Sequence, residues 1–162
     1  MINQETEKYY KDITFKENKA RLKLLIEFRE LVIRYFKNSN LNMMSGNYIE
    51  NQEAADAQNA INLILNRVYT IIRLADIRTS TVSVSALTSI SHGKNIDLIL
   101  NIFNLGRNDI SPEIAIEHIE SAIDAYRSNR LPSLSRTVNP FFWAMVILNY
   151  IAGGANKERT NQ

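Results

Sequence analysis

The stretch from Tyr48 to Arg78, YIENQEAADAQNAINLILNRVYTIIRLADIR, carries the longest unbroken helical pattern in the chain, with no Gly or Pro inside it. Its small and apolar residues recur at spacings of three and four, which places them on one side of an α-helix. These residues are Ala57, Ile61, Ile64, Val68, Ile71 or Ile72, and Ala75. A helix over the whole stretch would measure roughly 45 Å, longer than a small domain is wide. We therefore predict a long central helix on which the other helices pack.

Length and composition favour a single all-α domain. The chain has 162 residues, 45% of them hydrophobic, which is typical of one globular domain with a sizeable core. It contains only five Gly and three Pro, and many short strands joined by tight turns would need more of both. We predict an all-α bundle of five or six helices over residues 1–155, followed by a disordered tail at 156–162.

Charge and cysteine content exclude several classes of function. The net charge of +2 gives no overall field to attract nucleic acid, and the basic face of Lys16, Lys19 and Lys23 is interspersed with glutamate, so a nucleic-acid partner is not expected. The absence of cysteine excludes disulfides, zinc–thiolate sites and thiol nucleophiles. The chain shows neither a signal peptide nor an apolar run of about 18 residues, which predicts a cytoplasmic protein, at most peripheral to a membrane.

Two helix starts stand out in the sequence. Thr14 and Glu17 have the spacing of a capping box, which predicts a helix from about Phe15 to Lys37. Ser111-Pro112-Glu113 combines a capping hydroxyl, a proline at the first helical position and an acid beside the positive end of the helix dipole. This second start predicts a helix to about Ser128.

Between these helices the pattern is broken more than once. Residues 38–47, NSNLNMMSGN, predict a loop whose two methionines either fold over the end of the bundle or, as the alternative, form an exposed adaptable contact surface. Residues 79–85 alternate as a strand would, but one strand without a visible partner predicts an extended linker or a frayed helix end. A short helix is expected near 86–91. The apolar run at 95–104 predicts a further helix at the centre of the bundle.

The C-terminal third carries the strongest functional pattern. Residues 127–138, RSNRLPSLSRTV, are basic and rich in hydroxyls, and the proline predicts a loop with no continuous helix through it. Asn139-Pro140 then opens an apolar helix over 139–152, in which Asn149 is the one strongly polar side chain. A helix that is hydrophobic on every side must be enclosed by its own bundle, by another subunit or in part by lipid.

We therefore predict an interaction surface in this region. Its candidate residues are Arg127, Arg130, Arg136, Phe141, Phe142, Trp143, Ile147 and Tyr150. The leading interpretation is a non-enzymatic protein that self-associates as a homo-oligomer, or docks a protein partner, through the apolar C-terminal helix. The alternative is a peripheral membrane-associated module in which the arginines of 127–136 meet an anionic membrane surface and the three aromatic residues at 141–143 insert.

A third interpretation is a helical enzyme or metal-binding bundle that uses an acidic stripe within 113–124. The stripe consists of Glu113, Glu117, Glu120 and Asp124. Carboxylate-bridged metal bundles use a Glu-x-x-His pair on each of two helices, and the chain has no such spacing. It also has no nucleophile elbow and no Gly-rich phosphate loop ahead of a helix. The sequence therefore predicts no catalytic residue, no metal and no cofactor, and an enzyme is the weaker class.

Overall fold

The computed structural model describes residues 8–42, 44, 47–77, 81–84, 94–106, 110–141, 143–145 and 147–148. Over these residues the fold is mostly helical. Its helices of defined extent are α1 (Phe15–Lys37), α2 (Gln52–Arg73), α3 (Pro112–Ser128) and α4 (Arg130–Val138). Residues 140–141, 143–145 and 147–148 are helical as well, and we call them the C-terminal segment. The helical class is confirmed, whereas a bundle of five or six helices is not.

Short strands accompany the helices and form two antiparallel pairs. Strands β1 (Ser39–Asn42) and β2 (Asn47–Glu50) make one pair, and β3 (Thr81–Val84) and β4 (Lys94–Asp97) make the other. Single-turn 3₁₀ helices at Tyr10–Asp12 and Ile102–Asn104 complete the elements of the described residues.

The predicted start of α1 is confirmed. The Thr14 backbone N–H donates to Glu17 Oε2 at 2.9 Å, and the Glu17 N–H donates back to Thr14 Oγ1 at 3.3 Å, so the capping box is formed. The helix buries Leu25, Phe28 and Val32 among other residues. It packs against α2, α3 and α4, and it is therefore the helix at the centre of the fold.

The predicted central helix is shorter and lies to one side. Helix α2 begins after Asn51, whose side chain accepts from the Ala54 N–H at 2.9 Å, and ends at Arg73. Its length is about 33 Å at 1.5 Å per residue. Residues 48–50 belong to β2 instead, and Arg78 lies outside the described residues. The buried side of α2 is the predicted one, including Ile61 and Val68.

The loop predicted at 38–47 is wrong for Ser39–Asn42 and Asn47, because these residues lie in the paired strands β1 and β2. Asn40 pairs with Ile49 and Leu41 with Tyr48. Met44 is 98% exposed, so it does not cover the end of the bundle, and Met43 lies outside the described residues. The β-branched and aromatic residues of β2 fit a strand better than the helix start predicted for them.

The linker predicted at 79–85 and the helix predicted at 95–104 are also wrong in form. Val82 pairs with Ile96 in the β3–β4 ladder, so the strand that was expected to lack a partner has one. Asp97 then starts a turn, because its Oδ1 accepts from the N–H groups of Ile99 and Leu100 at 3.0 Å each. The apolar residues of the run are nevertheless central. Buried among them are Ile96, Leu98, Ile99, Ile102 and Leu105. The short helix predicted near 86–91 lies outside the described residues.

The loop predicted at 127–138 is wrong as well. Helix α3 continues to Ser128 and α4 follows almost at once. Pro132 does not prevent α4, because it is the third residue of that helix, where the backbone N–H has no partner within the helix. Asn139 ends α4 with extended backbone angles of φ −83° and ψ 115°, and Pro140 opens the C-terminal segment as predicted.

Candidate docking surface

Helix α4 rests on the domain through polar side chains. Three polar residues are buried in the part of the chain that the structure describes, namely Asn18 of α1 together with Asn129 and Ser133 at the start of α4. Asn129 and Ser133 are four residues apart and therefore lie on the same side of α4, which faces α1. Buried polar groups are tolerated where they are hydrogen-bonded. The contact between α1 and α4 is therefore a polar contact with defined partners.

The two buried asparagines form its centre. Asn129 Nδ2 donates to Asn18 Oδ1 at 3.0 Å and also to the Tyr10 carbonyl oxygen. Asn18 Nδ2 donates in turn to the Tyr126 carbonyl oxygen at 2.9 Å, near the end of α3. These bonds join the N-terminal 3₁₀ turn, α1, α3 and the start of α4 at one point.

The middle and end of α4 are attached in a similar way. The Phe15 backbone N–H donates to Thr137 Oγ1 at 2.8 Å, which ties the start of α1 to the end of α4. Arg136 donates from Nη2 to Asn129 Oδ1 at 2.8 Å and from Nε to the Ile13 carbonyl oxygen at 3.3 Å. Arg136 was predicted to face a partner or lipid, but these bonds hold its guanidinium against the domain.

The other two predicted arginines differ from each other. Arg127 donates to Asp124 at 3.0 Å, so its charge is partly neutralised within the last two turns of α3. Arg130 is exposed, and no ion pair to it is found among the described residues. Of the three predicted arginines, Arg130 therefore has the guanidinium best placed to meet an external anion.

The opposite side of α4 is apolar and faces solvent. Leu131 is 75% exposed and Val138 is 72% exposed, with Leu134 exposed between them. Their spacings of three and four put them on one side of the helix, away from Ser133. A surface helix ordinarily buries its apolar side and exposes its polar side. Helix α4 has the reverse polarity.

The exposed apolar surface continues into the C-terminal segment. Phe141 is 79% exposed, and Trp143 and Ile147 are exposed too. The indole Nε1 of Trp143 donates to the Thr137 carbonyl oxygen at 2.8 Å, which fixes one side of the ring against the end of α4. Enclosure by the chain's own bundle, one of the three arrangements expected for this helix, is not found for these residues. Tyr150 and the side chain of Phe142 lie outside what the structure describes.

Six exposed apolar residues follow one spacing through α4 and the C-terminal segment, and we call them the outward stripe. They are Leu131, Leu134, Val138, Phe141, Met145 and Leu148, at successive intervals of three, four, three, four and three. Of these six, the sequence interpretation named only Phe141 as an interaction residue. It missed the first three because it took 127–138 as a loop, and it placed Met145 and Leu148 in the apolar helix without naming them as contacts. The spacing of the six alone predicts one side of a helix, so the signal was present.

The stretch of sequence that carries the stripe contains cations but no acids. From Ala125 to Lys157 the chain contains no Asp or Glu, whereas it contains Arg127, Arg130 and Arg136. The stripe is therefore carried by a region without acids, and an anionic surface is its electrostatic complement.

The acidic stripe on α3 is engaged in surface contacts. Arg29 Nη1 lies 2.6 Å from Glu120 Oε1, and Asp124 pairs with Arg127. Glu113 accepts from the Ser111 hydroxyl. That hydroxyl was predicted to cap the backbone of α3, and it does not. No group of three or more histidine, aspartate and glutamate side chains within the described residues is arranged to hold a metal ion.

Of the two histidines of the chain, the structure describes His118. Burial lowers the pKa of the half-buried His118, and the nearby Asp97 opposes that shift. His118 is half-buried on α3, and His92 lies outside the described residues.

No helix within the described residues combines the length and the apolar character needed to cross a membrane. Comparison of the chain with protein-family models, with curated proteins and with solved structures found no match.

Proposed function

We propose that this protein is a peripheral membrane-associated module whose outward stripe lies in the headgroup region of an anionic membrane. The observation that carries the proposal is the reversed polarity of α4, with Asn129 and Ser133 buried and Leu131 and Val138 exposed. Burying an exposed Leu or Val contributes about 1.5–3 kcal/mol. Binding to a surface that covers the stripe is favoured by this free energy, because the side chains of the stripe are exposed to water in the isolated chain.

The charges favour a membrane over a second copy of the stripe. Two copies packed stripe to stripe would bring together two stretches that contain no Asp or Glu from 125 to 157, so neither copy would offer a carboxylate of this stretch to the other's Arg130. An anionic lipid surface supplies the opposite charge, at about 1 kcal/mol for each Lys or Arg close to it. A membrane therefore satisfies both the apolar stripe and the cations beside it.

The aromatic residues and the length of the helices agree with a position in the plane of the membrane. Trp143 and Phe141 have exposed rings, and aromatic residues are enriched where headgroups meet the hydrocarbon region. Helix α4 has nine residues and ends at Val138, so it is far too short to span a bilayer of about 30 Å. Short amphipathic helices with cations beside an apolar side bind in the interface plane.

Self-association is a second candidate, favoured by one observation. The intervals of the outward stripe, alternating three and four, are those of the apolar seam in a coiled coil. The extended backbone at Asn139 divides the stripe between two helices, so each helix offers at most two turns of seam. A coiled coil of that length is marginal without further contacts.

Vesicle co-sedimentation of the full chain tests the proposal. We expect binding to vesicles that contain phosphatidylserine, little binding to phosphatidylcholine alone, and weaker binding as salt rises. Leu131→Gln should weaken the binding by roughly tenfold or more, the equivalent of one buried leucine. Leu63→Gln is a matched control, because Leu63 is exposed on α2, far from the stripe in the sequence.

Light scattering separates the two candidates. A dimer that forms without lipid, dissociates in Leu131→Gln and persists in Leu63→Gln would assign the stripe to a second copy and contradict the membrane proposal. A chain that stays monomeric and binds none of the vesicles would contradict both candidates.

A further inference from the structure

A cleft of about 220 Å³ lies between α1 and the start of α4. Four residues of α1 line it, namely Phe15, Asn18, Lys19 and Leu22, at the spacings of one helix side. The fifth lining residue is Arg130, the first residue of α4. The less exposed lining residues are the apolar Phe15 and Leu22 and the amide of Asn18, and the two exposed ones are the cations Lys19 of α1 and Arg130 of α4.

The charge in this cleft lacks an internal partner. Lys19 and Arg130 are both exposed, and neither makes an ion pair within the part of the chain that is described. Lys16 and Lys23 lie three and four residues from Lys19, which puts them on the same side of α1 and adds to the positive field. The two cations at the cleft repel each other. An anion bound between them is attracted to both and also reduces this repulsion.

The size of the cleft limits what it holds. Pockets for drug-sized ligands measure roughly 300–1,000 Å³, so 220 Å³ is too small for a nucleotide. A phosphate group with a few attached atoms fits this volume. Arg binds phosphate through two parallel N–H groups and Lys binds it as a point charge, and the two residues complement each other on a single phosphate.

The number of cations favours a terminal phosphate. A phosphate monoester carries about −1.5 to −2 charges at pH 7, which matches the two cations of the cleft, whereas a phosphate that bridges two groups carries one. Arg130 also precedes Leu131 of the outward stripe, so one of the residues that line the cleft adjoins the stripe in the sequence.

We propose that the cleft between Lys19 and Arg130 binds the terminal phosphate of an anionic lipid headgroup. This inference rests on the proposed membrane association, because the lipid is the source of the phosphate. The apolar floor formed by Phe15 and Leu22 accommodates the glycerol carbons next to that phosphate. The chain then recognises one kind of anionic lipid in addition to responding to surface charge.

The test compares two vesicles of equal surface charge, one with phosphatidic acid, which exposes a phosphate monoester, and one with phosphatidylserine. We expect the full chain to bind the phosphatidic acid vesicles more tightly, by roughly fivefold, since about one further cation–phosphate contact is made. Lys19→Gln and Arg130→Gln should each abolish this preference. Arg67→Gln, which removes an exposed cation of α2, should retain it. Thermal melts should show that all three variants fold.

A second arm uses glycerol 3-phosphate in solution, with binding followed by calorimetry. Competition by millimolar glycerol 3-phosphate against phosphatidic acid vesicles, lost in Arg130→Gln, would support the cleft. Equal preference in Lys19→Gln, Arg130→Gln and Arg67→Gln would overturn the cleft, while loss of vesicle binding in Leu131→Gln would still support membrane association. Binding of glycerol 3-phosphate without any binding to vesicles would overturn the lipid as the source and, with it, the proposed function.

Discussion

Asn129 at the start of α4 donates from its side-chain amide to the side-chain oxygen of Asn18 on α1 across 3.0 Å, and both side chains are buried. The side-chain oxygen of Asn129 accepts from Arg136, and the side-chain amide of Asn18 donates to the backbone carbonyl oxygen of Tyr126. Because the leucines of α4 face solvent, this polar contact replaces the apolar burial that attaches an ordinary surface helix. The orientation of α4 therefore depends on a few hydrogen bonds with defined geometry.

The first prediction concerns this pair. Asn129→Ala should lower the free energy of unfolding by about 3 kcal/mol, because it removes the partner of the buried Asn18 oxygen and the acceptor of Arg136 Nη2. Urea unfolding measures the change. Asn62→Ala is the control, since Asn62 is exposed on α2 and should cost no more than about 0.5 kcal/mol. Equal costs for the two variants would contradict the role of the asparagine pair.

A second prediction concerns the link between α1 and the first hairpin. Tyr35 is buried, and its hydroxyl donates to Glu50 Oε1 of β2 at 2.7 Å. Burial and this bond raise the Tyr35 pKa well above its ordinary value. Tyr35→Phe should cost about 2 kcal/mol, as expected for a hydrogen bond to a charged acceptor.

The matched control for that variant is Tyr69→Phe. Tyr69 is half-buried on α2, and the described residues provide no hydrogen bond to its hydroxyl. Chemical denaturation of both variants at pH 7 compares the loss of the same hydroxyl with and without a partner. If Tyr69→Phe proved as costly as Tyr35→Phe, the bond to Glu50 would not explain the effect.

A third prediction concerns pH and the capping box of α1. Burial, the largest single influence, raises the Glu17 pKa, but the two hydrogen bonds of Thr14 and the charges of Lys8 and Arg21 together lower it below 4.5. The folded state therefore holds the proton less tightly than the unfolded state does. The stabilisation is present above the ordinary pKa and is lost as pH falls through the lowered folded value.

Glu17→Gln tests this prediction. The variant keeps a side-chain oxygen that can accept from the Thr14 N–H but loses the charge near the start of the helix, so it should be less stable than the natural chain at pH 7 by about 0.3–1 kcal/mol. The difference should shrink as pH falls through the lowered folded pKa of Glu17, where the carboxylate of the natural chain becomes protonated. Unfolding measured at several pH values checks it, and a difference that does not vary with pH would show that the carboxylate charge is not involved.

The confirmed parts of the sequence interpretation were those with local causes. The box of Thr14 and Glu17 predicts the start of α1, because both partners lie within one turn. Ser111-Pro112 predicts the start of α3 for a similar reason, even though the Ser111 hydroxyl bonds a neighbouring carboxylate. Signals of this kind need no knowledge of the tertiary fold.

The wrong parts were those that depend on distant partners. Residues 96–103 are apolar almost throughout, and periodicity cannot separate a buried strand from a buried helix in such a run. The partner of β4 is β3, about a dozen residues earlier, so neither strand was recognised alone. For the candidate site, Pro132 was interpreted as a helix breaker, although proline is tolerated in a first turn. Because of that interpretation, the helical spacing of Leu131 and Val138 was not recognised.

The last prediction separates the outward stripe from the core. Leu131→Gln and Val138→Gln should change the free energy of unfolding by no more than about 0.5 kcal/mol, because both side chains are in water in the folded and unfolded states alike. Ile119→Ala, at a buried position of α3, should cost about 2–5 kcal/mol. Urea unfolding without lipid gives all three values. A large cost at Leu131 would mean that the stripe packs against its own chain.

Anionic vesicles should reveal what the stripe contributes. A surface that binds the folded state alone stabilises it by about 2.7 kcal/mol when its concentration is one hundred times the dissociation constant. We therefore expect phosphatidylserine vesicles to raise the midpoint of thermal unfolding of the natural chain and of Leu63→Gln, and to raise that of Leu131→Gln about half as much, because tenfold weaker binding leaves about 1.4 kcal/mol of this stabilisation. Because the variants are expected to be equally stable without lipid, a difference between their unfolding midpoints in the presence of vesicles reports a difference in binding. Equal shifts in all three proteins would mean that the vesicles act on another surface, and the reversed polarity of α4 would then have no part in membrane association.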